Sequence, residues 1–313
     1  MNHLHFVDKY GSFTMDKPEN VSYLYFPLAS ETGLKSSLTP NLGGDAKIDQ
    51  ETFLLEPVSA ENLHSNRGVR NFWLVDEDGQ AFSVSGASAR QEADRFTPAQ
   101  DDSRLTAGLM WQTVERTAQD LGLDTEVTAF CPRQDNVEIL CITVRNQQEQ
   151  PRWLTPIAAV PLYGRSADNI RDHRNVTSML HRIWTTENGV MVRPTMSFDE
   201  RGHRPNHKVY YVEGFGPEGQ KPEAFYPTVE SFLGEGGTYL HPRAVYEQYP
   251  GVKAGSRAEG REAMGAFRFP AITLAPGPGS PLCPAAGGGG QRRGRQRHLG
   301  QVPQLGTGAG RAG

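Results

Sequence analysis

Between Tyr23 and Leu274 the chain is cut into about a dozen short extended runs, each bounded by Gly, Pro, Asn or Asp. That rhythm constrains the fold most, because segments this short bury a core readily as paired strands and poorly as helices. Residues 23–26, 53–55, 71–75 and 81–84 are the first such runs, and 109–116, 124–130 and 137–145 form a longer trio. In 109–116 the period of two is explicit. Met110, Gln112, Val114 and Arg116 share one face, and Leu109, Trp111, Thr113 and Glu115 the other. Residues 137–144 are rich in β-branched side chains and carry no helix cap. The stretch 119–122 reads as the hairpin loop between the first two strands of the trio. Further strands are expected at 153–160, 182–186, 190–195, 209–213 and 267–274, and helices only at 61–66, 168–182 and 227–233. Together these predict a mainly β chain, a large antiparallel β-sandwich with few short helices.

The pattern stops after Leu274. The 39 residues from 275 to 313 hold 12 Gly, 5 Pro and 5 Arg and no acidic side chain. The sandwich is therefore expected to occupy 1–274, and a disordered Gly/Pro/Arg-rich tail 275–313. Three origins fit such a tail: a flexible linker, an Arg-Gly arm for nucleic acid, or a GC-rich gene read out of frame after a deletion. We adopt the third, because Gly, Ala, Pro and Arg have GC-rich codons and the change falls directly after a strand. The whole chain carries a net charge of -4, so nucleic acid is not an expected partner. No apolar run is long enough to span a bilayer and the N-terminus lacks a signal-peptide pattern, so no membrane association is expected and the cytoplasm is the expected compartment.

Cys131, Cys141 and Cys283 are too few and too widely spaced for a disulfide framework or a zinc knuckle, and they read as small apolar residues. Without a secretory signal, the glycosylation patterns at Asn20 and Asn175 read as coincidence. There is no phosphate loop, no nucleophile elbow and no His-Glu-x-x-His zinc signature. Leu42-Gly43-Gly44-Asp45 reads as a turn.

The densest polar cluster follows the apolar run ending at Val160. It offers Arg165, Asp168, Asn169, Arg171, Asp172 and His173 as paired donors and acceptors for sugar hydroxyls or phosphate, and Tyr163 as a stacking face for a pyranose. The alternative is a solvated loop held by internal ion pairs, as the Arg165/Asp168 and Arg171/Asp172 spacings permit. A second cluster, 197–203, contains the adjacent carboxylates Asp199 and Glu200. Neighbouring acids on one loop are too close to flank a glycosidic bond, so this cluster reads as surface. No metal site is expected; His173 and His181 would be ligands only by an accident of the fold.

Several stretches are familiar as a set: Pro18-Glu19-Asn20-Val21-Ser22-Tyr23-Leu24-Tyr25-Phe26-Pro27-Leu28, Ser37-Leu38-Thr39-Pro40, Thr52-Phe53-Leu54-Leu55-Glu56-Pro57-Val58-Ser59, Arg70-Asn71-Phe72-Trp73, residues 161–174, Ser178-Met179-Leu180-His181-Arg182 and residues 194–202. In that order, from about Phe6 to Leu274, the chain resembles the N-terminal part of the cellobiose phosphorylase family (glycoside hydrolase family 94), and within it the 1,2-β-oligoglucan phosphorylases. The resemblance implies a supersandwich, followed in the family by a helical linker, an (α/α) toroid and a small C-terminal sheet. It implies inverting phosphorolysis of β-1,2-oligoglucans to α-glucose 1-phosphate, with inorganic phosphate as co-substrate and no other cofactor. An Asp general acid protonates the leaving oxygen, and the anionic phosphate attacks without a protein base. In the family the acid and the phosphate ligands belong to the toroid. On this reading no residue of the present chain is catalytic, and the chain is a fragment that does not turn over substrate alone. The resemblance further implies a homodimer in which sandwich loops approach the active site. The loop from Tyr163 to Arg174 is the candidate for such a role. A free-standing carbohydrate-binding sandwich is the alternative.

Overall fold

Alternation of side chains is what lets eleven strands share one large antiparallel sheet. Leu123–Phe130 buries every second residue and leaves its neighbours half-buried, as a strand with one covered face must. The computed structural model describes residues 4–21, 24–59, 62, 68–169, 176–199, 202–277 and 280–288. Across the large sheet the strands run Leu4–Phe6, Phe13–Asp16, Asp102–Gly108, Trp111–Ala118, Leu123–Phe130, Val137–Asn146, Ser280–Gly288, Tyr210–Phe215, Gly189–Pro194, His181–Thr185 and Arg257–Glu259.

A six-stranded sheet packs against it, built on Arg152–Leu162 at its centre. Asn71–Asp76 and Ala263–Arg268 flank that strand, with Ala81–Ser83 and Ala224–Thr228 outside them, and Ile272–Leu274 also pairs with it. Its inner face sends Phe72, Leu74, Leu154, Ala158, Val160, Leu162 and Phe267 into the main core, opposite Leu123, Val127, Ala129, Ile142 and Val144 of the large sheet. Its outer face carries Trp73, Val75, Ile157, Ala159 and Met264, covered by Phe232, Ala244 and Val245 from the helices Val229–Leu233 and Arg243–Tyr246. Burial on both sides explains why Asn71–Asp76 is buried at every position and reads in sequence as an unbroken apolar run.

A four-stranded sheet, Phe26–Ala29, Lys35–Leu38, Ala46–Asp49 and Thr52–Phe53, closes one side through Leu28, Leu38 and Ala46. The expected turn at 42–45 is there. Gly44 sits at φ +103°, and a β-carbon on it would lie 2.2 Å from the Ser37 carbonyl oxygen, so only glycine closes this hairpin. A hairpin of Met196–Asp199 with Gly202–Pro205 completes the sheets. Among the described residues no helix is long and apolar enough to cross a membrane.

The mainly β sandwich expected from the strand rhythm is what the chain forms, with local differences. Leu109 and Met110 make the turn before Trp111–Ala118, and the preceding strand Asp102–Gly108 opens on polar residues that give no apolar run in the sequence. The helix expected over 168–182 does not reach its end. His181, Ile183 and Thr185 alternate as the buried face of a strand, and residues 170–175 lie outside the described residues. The helix at 227–233 starts at Val229, capped by Thr228, whose hydroxyl accepts from the Ser231 N–H at 3.1 Å. The structure also has a short helix, Ala89–Asp94, capped by Ser88, beyond the three that the sequence pattern predicts. Most of the helix expected at 61–66 lies outside the described residues.

The tail also differs in one stretch. The backbone of Ser280–Gly288 pairs with Val137–Asn146 on one side and Tyr210–Phe215 on the other. Backbone pairing needs no apolar side chain, so a Gly/Pro/Ala-rich segment fills the gap although its composition carries no strand signal. Residues 289–313 lie outside the described residues. Cys131 and Cys141 are half-buried thiols. Burial and the nearby Glu138 carboxylate push the Cys131 thiol up to about 12, which leaves it protonated and inert at neutral pH.

Candidate functional site

The strand Arg152–Leu162 ends at one edge of the sandwich, and the polar cluster begins there. Gly164, at φ +61°, turns the chain back beside Thr52–Phe53. Three backbone bonds then hold the loop as a short extra strand. Tyr163 N–H donates to Leu54, Phe53 N–H donates to Arg165, and Ala167 N–H donates to Gln50, each at 2.9 Å.

Arg165 is the centre of this loop and is buried. Its guanidinium donates to the Glu262 carboxylate at 2.6 Å and to the Thr177 hydroxyl at 3.0 Å, and its Nε donates to the Tyr163 carbonyl at 3.2 Å. It also lies 4.4 Å over the Tyr163 ring, while the Tyr163 hydroxyl donates to the Ser166 carbonyl at 3.0 Å. The aromatic face that the sequence offered to a sugar is therefore taken by Arg165. Ser166 donates to the Asn169 side chain at 3.1 Å, and Asn169 is buried as well. Of the described candidates only Asp168 is exposed. Arg171, Asp172 and His173 lie outside the described residues.

Glu262, Thr177 and His181 are the partners that the sequence did not reveal. Glu262 is 97 positions from Arg165, and only the fold brings it there. His181 is wholly buried, and its Nδ1 lies 3.2 Å from the Arg261 carbonyl. Burial, reinforced by the Arg165 charge, lowers its pKa to about 3, so its imidazole is neutral.

Residues just after the second polar cluster converge on the same edge, and Glu200 itself lies outside the described residues. Arg204, in the strand Gly202–Pro205, pairs with Glu51 at 2.9 Å, one residue from the Gln50 carbonyl that receives Ala167. Lys208 donates to the Thr52 hydroxyl and lies 3.6 Å from Asp49. Burial raises the Asp49 pKa, but Thr52 and Lys208 outweigh it and hold the carboxyl below its ordinary value. Two loops far apart in sequence thus meet around residues 49–53. Among the described residues no group of three or more His, Cys, Asp or Glu is arranged to hold a metal. The arrangement builds a rigid platform: a buried guanidinium fixes the base of the loop, and Asp168 and the Glu51/Arg204 pair are presented outward.

A family model described as the glycosyl hydrolase 94 supersandwich domain matches residues 46–298. No curated protein matches the chain. Among solved structures, a bacterial glucoamylase complexed with acarbose aligns over 93% of this chain and 35% of its own, at 8% identity and a TM-score of 0.47. A candidate kojibiose phosphorylase from the human microbiome aligns over 92% and 33%, at 7% identity and a TM-score of 0.39. A candidate aldose 1-epimerase from Escherichia coli K12 aligns over 85% and 99%, at 9% identity and a TM-score of 0.38. The chain spans about a third of the length of the glucoamylase.

Proposed function

Because the chain belongs to the glycosyl hydrolase 94 supersandwich family, we propose that it is the N-terminal sandwich of an inverting glycoside phosphorylase that acts on β-1,2-oligoglucans in the cytoplasm. Its part is positional. A toroid would supply the general acid and the phosphate site, and the sandwich would brace loops against that site in a homodimer. The observation that carries this reading is the anchoring of the loop that begins at Tyr163. The buried Arg165, held to the partly exposed Glu262 at 2.6 Å, is more fixation than a solvent loop requires, and it suits a loop that must hold its position against a second surface.

The test is chemical. Incubation of sophorose, or longer β-1,2-glucans, with inorganic phosphate and the chain alone is expected to release no α-glucose 1-phosphate. The same sandwich joined to a toroid domain of the family is expected to release it. Release of α-glucose 1-phosphate by the chain alone, or phosphorolysis of cellobiose in preference to sophorose by the joined protein, would count against the reading.

A second reading, a free-standing module that binds β-glucan through the edge at Asp168, is favoured by the exposure of that carboxylate beside the Glu51/Arg204 pair. Calorimetric titration with sophorose decides it: affinity lost in Asp168→Ala supports the module, and unchanged affinity removes it.

A further inference from the structure

The strand that carries the Tyr163 loop at one end carries an unexplained tryptophan at the other. Trp153 is 55% exposed, although it shares the outer face of the six-stranded sheet with Thr155, Ile157 and Ala159. Ile157 and Ala159 are sealed beneath the helices Val229–Leu233 and Arg243–Tyr246, and that cover stops short of Trp153.

Where the cover stops, a cavity of about 230 Å³ opens beside Thr155, about 7 Å along the strand from Trp153. Its floor is apolar, formed by Val75, Ile157 and Ala244. Its rim carries Gln248, Glu223 and Arg268. Arg268 donates to Glu223 at 3.0 Å, so the charges of the rim cancel. Gln248 is held at φ +50°, a conformation that costs energy for a residue with a side chain and that collects where proteins grip ligands.

These features select a ligand chemistry. A neutralised rim gives no advantage to an anion or a cation. A planar amide, a carboxylate, a guanidinium and the Thr155 hydroxyl together donate and accept in the manner that a ring of hydroxyls demands. An exposed indole with an apolar floor beside it suits a ligand that has one apolar face. The volume is below the 300–1,000 Å³ of typical drug-sized pockets, so it accommodates about one ring. We propose that Trp153, with the Gln248/Glu223/Arg268 cavity, is a holding site for a single hexopyranose of a neutral gluco-oligosaccharide. It lies roughly 30 Å along the strand from the Tyr163 loop. Its choice of ligand rests on the carbohydrate reading above, but its location does not.

The experiment is calorimetric titration of the full chain with sophorose, laminaribiose, cellobiose and maltose. Wild type is expected to bind at least one of them. Trp153→Ala should weaken that binding at least tenfold, Trp153→Phe should stay within about threefold, and Lys9→Ala, an exposed change in the turn between the first two strands of the large sheet, should leave it unchanged. Because Trp153 is exposed, the thermal melts of its variants should match wild type, which separates lost binding from lost fold. No binding by wild type, or equal affinity in Trp153→Ala, overturns the site. Failure of the phosphorolysis assay would bear on the enzymatic reading and leave this measurement untouched.

Discussion

Arg70 and Glu138 form a two-point ion pair inside the sandwich, with Nε to Oε1 at 2.5 Å and Nη2 to Oε2 at 2.9 Å, and both side chains are buried. Ser36 links to both, accepting from Arg70 at 2.7 Å and donating to Glu138 at 2.6 Å. Arg70 also donates to the carbonyls of Leu42, Gly43 and Asp45. Arg70 immediately precedes a strand of the six-stranded sheet, Glu138 lies in the large sheet and Ser36 in the four-stranded one. One guanidinium therefore ties these three sheets of the sandwich together.

Glu138→Gln leaves that guanidinium buried without its counter-charge. The expected loss is about 3–5 kcal/mol in the free energy of unfolding, read from urea denaturation at neutral pH. A loss below about 1 kcal/mol would show that the sheets are held by packing alone.

His181 makes stability fall in acid. Its folded pKa, lowered to about 3 by burial and the Arg165 charge, lies below the ~6.5 of an unfolded histidine. Between these values the unfolded chain binds the extra proton. The contribution is therefore whole above about pH 6.5 and is lost progressively as the pH falls towards about 3. From about pH 7 to about pH 4 this one group accounts for about 3 kcal/mol. His181→Leu should flatten the dependence of the urea midpoint on pH over that range, and an unchanged slope would place the acid sensitivity elsewhere.

Arg165 and Asp168, three positions apart, should separate in their effects. Arg165→Ala leaves the partly exposed Glu262 without this partner and uncovers the Tyr163 ring, and should cost about 1–3 kcal/mol. Asp168→Ala, at an exposed position, should stay within about 0.5 kcal/mol of wild type. Equal thermal shifts in the two variants would contradict the buried anchor.

Ser280–Gly288 joins two halves of the large sheet. A chain ending at Gly277 would expose the edges of Val137–Asn146 and Tyr210–Phe215, and unpaired edges recruit other chains. Light scattering should show it aggregating, whereas a chain ending at Gly288 keeps both ladders and should stay monodisperse. Identical behaviour of the two would remove the structural role of the segment.

Strand existence was the most legible feature of the sequence, since alternation and turn residues are local signals. Even the odd members of the 109–116 pattern survive. Gln112 and Arg116 face inward as the period of two required, and Arg116 is accommodated because its guanidinium meets Glu19 at 3.3 Å and Asp101 at 3.6 Å. Boundaries were less legible. Leu109 and Met110 look like the start of a strand, and the turn that claims them is set by the neighbouring register. The site was half legible: its polar composition drew attention to 163–169, but composition does not say which way a side chain points.

By itself the sequence determined that this chain is a β-sandwich and where its polar loop lies, because period and turn chemistry are written in neighbouring residues. Only the tertiary structure decided that Tyr163 and Arg165 face inward, that Glu262 and His181 attend them, and that a Gly- and Pro-rich segment completes the sheet. Those outcomes depend on groups tens to hundreds of positions apart, and what brings such groups within hydrogen-bonding distance is the stacking of whole sheets.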